Sequence, residues 1–353
     1  MPRAAVFTEV MSVLEQRILR GDYLLNDLPG ERTLAAETGV SHMTARKAVQ
    51  ALISKDVLVR ASNGTLRVNP QYRASQRVAQ VVLLYPAYPS PFLTQLRQGI
   101  LRATQQHGGE LRPVQYVHWD EPVVMEALSH GGGTVIIPSS TEVPERILDT
   151  MRDNRCVSLD IDLSRQGVKS IRLFPDEHIV GVLNRLRSAG HTAVDCISSH
   201  TRNAEIQRRI DLWQRWLDTT GLTGRLIEEA TPSFEDPTPW AYRLMKRELD
   251  AGYPAGSALI GTTFPAALGA IRACAERGYT AGRDVSVCAM NIESPARYTT
   301  PSVAGLDLPS VAPLLQDCLK WFAGDQPWPG PDLLEPGEAN YFAGESIVVK
   351  TAD

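Results

Sequence analysis

Apolar residues first recur at three- and four-residue spacing. Val6, Val10, Val13, Leu14 and Ile18 form one stripe, which predicts a helix over 4–20 that stops at Gly21. A second, shorter helix is predicted over Glu31–Thr38, with Gly39 as a left-handed C-terminal stop. Ser41 reads as an N-cap, because its hydroxyl can accept from free N–H groups of the following turn. The helix it opens runs from His42 to about Lys55 and buries Ala45, Ala48, Val49 and Leu52. Two brief β segments, 57–59 and 66–68, then flank Ser62-Asn63-Gly64-Thr65, where Asn-Gly is a strong hairpin signal.

Residues 69–77 are polar, include Pro70 and lack an apolar period, so they read as a linker between a first domain, 1–68, and a second, 78–353. Beyond the linker the pattern alternates. Strands are predicted at 78–85, 111–116, 134–137 and 156–159, with helices at 92–106, 123–129, 144–152 and 175–190. A second series opens with the strand 193–197 and continues with helices at 204–219 and 240–251. The strand 258–260, the helix 266–278 and the strand 285–290 follow. The expected fold class is α/β: an N-terminal winged helix-turn-helix, then a two-lobed domain of parallel sheets covered by helices. The first lobe is expected over about 78–188 with a late return segment, and the second over about 191–305.

Charge sharpens the division. Residues 1–77 hold eleven Lys/Arg against seven Asp/Glu, a net +4, which leaves −8 on the remainder of a chain whose total is −4. A basic head on an acidic body suits an end that meets a polyanion. The five cysteines are scattered, form no CxxC pair and read as buried free thiols; neither a disulfide framework nor a zinc site is expected. No run of 18 apolar residues occurs, and the first ten residues turn charged at once instead of forming a secretory core. The expected location is the cytoplasm.

The polar residues of the third helix sit at its N-terminal end, where a recognition helix meets DNA: Ser41, His42, Thr44, Arg46 and Lys47. Arg46 can bind guanine through two hydrogen bonds, whereas Ser41 and Thr44 suit phosphate oxygens. Gly64 lets the wing backbone approach a minor groove. The segments Leu28-Pro29-Gly30-Glu31-Arg32-Thr33-Leu34-Ala35 and Gly39-Val40-Ser41-His42-Met43-Thr44-Ala45-Arg46-Lys47-Ala48 resemble the LPSERxLA…GVSRxTVRKAL pattern of the GntR family. The resemblance covers residues 5–68. It implies that Arg32 contacts a base or phosphate at the start of the second helix, that Arg46 is the recognition-helix arginine, and that Asn63 and Gly64 form the wing tip. His42 stands where the family often has Arg, which would alter the operator sequence read.

Open parallel sheets bind ligands at the carboxyl ends of their strands, and two facing lobes make a cleft that can close by hinge motion. The candidates there are Tyr88, Ser90, Phe92, Asp160, Thr263, Phe264 and Asn291. The stretch from Ala258 through Gly261-Thr262-Thr263-Phe264 to Ala273, then Gly278 and Asp284-Val285-Ser286-Val287, resembles the sensor domain of the lactose/galactose repressor family, itself similar to periplasmic sugar-binding proteins. That resemblance implies that Arg209 clasps effector hydroxyls. The chain departs from the family where it carries Thr263-Phe264 instead of Asn-Asp and Asn291 instead of a later aspartate. A less acidic, more aromatic cleft is expected, for a sugar, for a less polar metabolite, or without ligand response.

An enzyme fused to the head is the competing class. The lysines beyond position 77, Lys169, Lys246, Lys320 and Lys350, lie in no recognisable pyridoxal-phosphate motif. Gly131-Gly132-Gly133 precedes a strand, whereas a phosphate loop follows one, so it reads as a turn. No nucleophile elbow appears. The expectation is a non-enzymatic transcription regulator, acting as a repressor without cofactor or metal. Its expected partners are double-stranded operator DNA, a small-molecule effector and a second copy of itself in a homodimer.

Overall fold

The computed structural model describes residues 11, 14, 28–61, 64–69, 80–88, 90–139, 142–253, 258–324 and 327–350. They fall into two compact units, Met1–Val78 and Ala79–Asp353. In the first unit, helix α1 (Glu31–Thr38) ends on Gly39, whose φ of +67° lets its N–H reach the Ala35 carbonyl. Helix α2 (His42–Ser54) starts at Ser41, whose Oγ accepts from the Thr44 N–H at 3.2 Å. Strands β1 (Leu58–Arg60) and β2 (Leu66–Val68) pair antiparallel, Leu58 opposite Val68 and Arg60 opposite Leu66. Of the first predicted helix only Met11 and Leu14 are among the described residues. Both are helical and packed with Leu28, Leu34, Val49 and Leu52. Ser62 and Asn63 of the expected wing tip, and the linker beyond Asn69, lie outside the described residues.

The second unit holds two six-stranded sheets. The first lobe is built from β3 (Gln80–Pro86), α3 (Pro91–Gln106), β4 (Glu110–Tyr116), α4 (Pro122–Leu128), β5 (Thr134–Ile136), α5 (Glu145–Asp153), β6 (Cys156–Leu159) and β7 (Lys169–Ile171). The second is built from α6 (Asp176–Ser188), β8 (Val194–Ser198), α7 (Ala204–Thr220), β9 (Leu226–Glu228), α8 (Pro237–Asp250), β10 (Ala258–Gly261), α9 (Phe264–Glu276), β11 (Ser286–Ala289) and β12 (Ala304–Leu306). Helix α10 (Val311–Ala323) then returns to pack on α3 and β3. It leads to β13 (Leu333–Leu334) on the first sheet and β14 (Tyr341–Phe342) on the second. The orders are β13-β7-β6-β5-β3-β4 and β14-β12-β11-β10-β8-β9. Every pairing is parallel except β12 with β14, so the second sheet has one antiparallel edge.

The chain therefore passes between the lobes three times, at 172–175, 307–310 and 335–340. The first passage corrects the expected lobe boundary near 188. Helix α6 packs against α7 and β12, because a helix that feeds a strand covers the sheet that strand joins. Strands β7, β9 and β12 are three residues each, too short to show a period of two. Pro313 sits in the first turn of α10, where its missing N–H costs nothing, although along the sequence it reads as a break.

Strand β3 is buried from Val81 to Pro86, as expected of a strand covered on both faces. All five cysteines are free and buried. Gly131 and Gly132 form the expected turn, and Gly133 adds a close approach. Its φ is +137°, and a Cβ there would lie 2.2 Å from the Phe322 ring on α10. Gly133→Ala is expected to cost about 3 kcal/mol or more through overpacking and backbone strain. A urea titration checks this, and an unshifted midpoint would contradict it.

Candidate functional site

In the first unit, Arg32, Ser41, His42, Arg46 and Lys47 are exposed and Thr44 is half-buried. The Ser41 and Thr44 hydroxyls are 2.9 Å apart, so the cap also fixes the Thr44 side chain. Glu31, in the first turn of α1, is the organising group. Its carboxylate accepts from Arg60 of β1 at 3.0 Å and lies 3.9 Å from His42 Nε2. Arg60 also donates to the Gly64 carbonyl at 3.2 Å, so one guanidinium joins the start of α1 to the wing. Arg32, Arg46 and Lys47 form no ion pair among the described residues, and their charge stays available to a polyanion. The sequence reading missed Arg60, whose partner Glu31 is 29 positions away.

The second unit gathers most of the expected cleft residues at the carboxyl ends of its strands. Tyr88 follows β3 and Asp160 follows β6 on the first lobe; Thr262 and Thr263 follow β10 and Asn291 follows β11 on the second. The organising group here is Arg209 on α7, only 3% exposed. Its Nε donates to Glu205 Oε1 at 2.9 Å, and its Nη1 donates to the Thr262 carbonyl at 2.7 Å and to Asn291 Oδ1. The guanidinium carbon lies 5.4 Å from the centre of the Phe174 ring. Arg208 binds the same Glu205 through two nitrogens, 2.6 and 2.9 Å, and reaches back to Asp176 and the Phe174 carbonyl. A buried guanidinium needs such pairing, since it cannot shed its proton.

Two carboxylates are left out of this network. Asp160, held at a φ of +75°, and Glu293, 5% exposed, have neither a hydrogen bond nor an ion pair to their side chains among the described residues. Burial, reinforced by Glu205, pushes Asp160 up to about 6 against a weaker pull from Arg209 and Arg208. Burial, reinforced by Asp236, pushes Glu293 up to about 7. Both lie close enough to Tyr88 to reinforce the effect of burial, which raises its phenol to about 12. Burial also lowers the pKa of His200, with Arg209 adding a smaller push in the same direction. Thr263 Oγ1 is buried without a hydrogen-bond partner.

Among the described residues the lobes meet through aromatic rings and through a hydrogen bond from the Ser294 backbone. Phe234, with a φ of +68°, sets its ring 6.1 Å from Tyr88 and 6.5 Å from His118, edge-on to both. Thr231 anchors that loop to the second lobe, its N–H donating to the Ser199 carbonyl at 3.1 Å. The Ser294 N–H donates to Gln95 on α3 at 3.3 Å. A cavity of about 210 Å³ opens beside Tyr88, lined also by Tyr85, Ser90, Thr94, Arg97 and Gln115.

Three expectations change. Phe264 is 2% exposed and packs in the second lobe's core with Ile197 and Leu259, so it offers no face to a ligand. It is the first residue of α9, and the turn into the helix directs it inward. Ser90 caps α3 by accepting from the Leu93 N–H at 3.3 Å, while Phe92 packs on Phe174 with ring centres 6.3 Å apart. Glu293 lies two residues beyond Asn291, outside the family pattern, and only its burial singles it out.

Residues 8–68 match the gntR family of bacterial regulatory proteins, and residues 183–312 match the periplasmic binding protein-like domain. Among solved structures, a LacI-family transcriptional regulator from Bifidobacterium animalis subsp. lactis superposes with a TM-score of 0.64 at 14% identity, over 78% of this chain and all of that one. A dimeric lac repressor lacking 11 C-terminal residues gives 0.65 at 14%, over 77% of this chain and 100% of that one. A LacI-family regulator of Weissella paramesenteroides with bound sucrose gives 0.63 at 16%, over 77% and 100%. At these identities the likeness is one of fold. No helix among the described residues is long and apolar enough to cross a membrane.

The unpaired carboxylates predict a pH effect. Glu293 is raised in the folded state, so folding takes up a proton between the ordinary glutamate range, about 4.3, and about 7. Its contribution to stability falls as pH rises through that window and levels off above it. Glu293→Gln should flatten this slope and be more stable than wild type above about pH 7. Urea midpoints across the pH range check it, and parallel profiles for the two proteins would contradict it.

Proposed function

We propose that this chain, a transcriptional regulator that joins a gntR-type DNA-binding domain to a periplasmic-binding-protein-like ligand domain, is a repressor whose operator affinity is set by a small molecule held between its two lobes. These are the domains of a transcription regulator and not of an enzyme. The carrying observation is the exposed trio Arg32, Arg46 and Lys47, without acidic partners among the described residues, beside a wing strand that Arg60 ties to Glu31. In this reading Arg46 contacts base edges from the N-terminal half of α2, and Ser41 and Thr44 face phosphates. A homodimer would set two such helices in successive major grooves of a near-palindromic operator, in the cytoplasm.

Tyr88, Asp160, Arg209, Asn291 and Glu293 are the proposed effector-binding groups. Ligand binding that favours one arrangement of the lobes shifts the population toward it, and DNA affinity follows. Arg209 bears on the kind of ligand. Its bonds to the Thr262 carbonyl and Asn291 already occupy the guanidinium that the sugar-repressor resemblance assigns to effector hydroxyls. A sugar would have to displace them, which favours a non-sugar metabolite.

Arg32→Ala and Arg46→Ala are each expected to lose about 1–3 kcal/mol of specific operator binding, roughly tenfold or more in affinity. Gel-shift titration on the operator reads this directly. Unchanged affinity in both variants would remove the DNA-reading assignment.

A further inference from the structure

We propose that the cavity beside Tyr88 on the first lobe binds a small oxyanion, a phosphate or carboxylate group, held by the guanidinium of Arg97 and the phenol of Tyr85. The site goes beyond the effector reading, since of the residues proposed there only Tyr88 lines it. Two columns of side chains build it. On β3, Val81, Leu83 and Tyr85 alternate onto the face that packs with Leu93 and Leu96 of α3, while Val82 and Leu84 point into the opposite core. Gln115 of β4 stands opposite Tyr85 in the parallel register and shares that face. At the start of α3, Ser90, Thr94 and Arg97 follow at helical spacing and form one stripe. Tyr85 and Gln115 lie at the carboxyl ends of their strands, and there the polar residues of both columns surround about 210 Å³ of open space.

The donors around that space are uncommitted. Tyr85 is 8% exposed, yet its hydroxyl has no hydrogen-bond partner among the described residues. Buried tyrosine hydroxyls ordinarily find one, so the cavity is where its partner belongs. Arg97 forms no ion pair among the described residues. Ser90 Oγ accepts from the Leu93 N–H at 3.3 Å, which leaves its own proton to donate. The Thr94 hydroxyl is already directed to the Ser90 carbonyl at 3.1 Å. No Asp or Glu is among the described residues that line the cavity, and Asp160 and Glu293, which act electrostatically on Tyr88, stand outside its walls. A neutral polyol would satisfy the hydroxyls and leave the guanidinium without a counterion. A phosphate or carboxylate satisfies both, and two of its oxygens match the guanidinium fork. The space is smaller than the roughly 300–1,000 Å³ of a pocket for a drug-sized ligand, which suits one charged group.

Thermal shift and calorimetry on the full chain test this with anions and their neutral counterparts. Inorganic phosphate and glycerol 3-phosphate are compared with glycerol, which reads a phosphate group; lactate is compared with lactamide, which reads a carboxylate. At least one anion should bind about tenfold or more tightly than its counterpart. Arg97→Ala and Tyr85→Phe should each weaken that anion by about tenfold. Both variants should stay folded by circular dichroism, because Arg97 is exposed and Phe keeps the buried ring. Arg102→Ala, at an exposed position of the same helix outside the cavity, should leave binding unchanged. Anion binding that survives either cavity substitution, or that falls equally in Arg102→Ala, overturns the proposal. A neutral counterpart that binds as well, or no binding by any anion, overturns it too. The effector reading rests on other residues and outlives each of these failures.

Discussion

Arg209 must be paired inside the protein, because it carries a guanidinium cation on a buried side chain. Glu205, one turn earlier on the same helix, supplies the countercharge. The Thr262 carbonyl and Asn291 supply the remaining acceptors. One side chain thereby ties the start of α7 to the ends of β10 and β11. The cleft edge of the second lobe follows from that constraint. Glu205 is committed to two arginines, and among the described residues the side chains of the half-buried Asp160 and the buried Glu293 accept no hydrogen bond and form no ion pair.

The DNA-binding unit solves a comparable problem in the opposite sense. Glu31 takes Arg60 and approaches His42, which fixes the wing beside α1, while Arg32, Arg46 and Lys47 remain outside that network. A reading surface needs uncommitted cations on a rigid support, since phosphate contacts fix register before bases can be read. A ligand cleft that must close needs uncommitted groups on two supports that move. Among the described residues the first unit keeps arginines outside ion pairs and the second keeps carboxylates outside them, in keeping with a basic head and an acidic body.

What was legible in the sequence was local. Ser41 and Gly39 announce the ends of α1 and α2 because capping is a matter of adjacent residues. The continuous apolar run of β3 announces a strand covered on both faces. What was hidden depended on contacts across the chain. Nothing near Arg60 points to Glu31, and nothing near Ser294 points to Gln95. Phe264 looked like a cleft aromatic because its position follows a strand, yet the first turn of α9 directs it into the core. Helix α6 looked like the end of the first lobe because chain order does not say which sheet a helix covers.

Ligand in the cleft should govern DNA binding, and fluorescence anisotropy on labelled operator tests that claim most directly. Operator affinity of the full chain would be measured with and without a saturating ligand whose binding has been shown by calorimetry. The expected result is a change of about tenfold or more, equivalent to a coupling of about 1.4 kcal/mol, and its loss in the Asp160→Asn and Glu293→Gln variants. Operator affinity that stays constant with the ligand demonstrably bound would contradict the coupling.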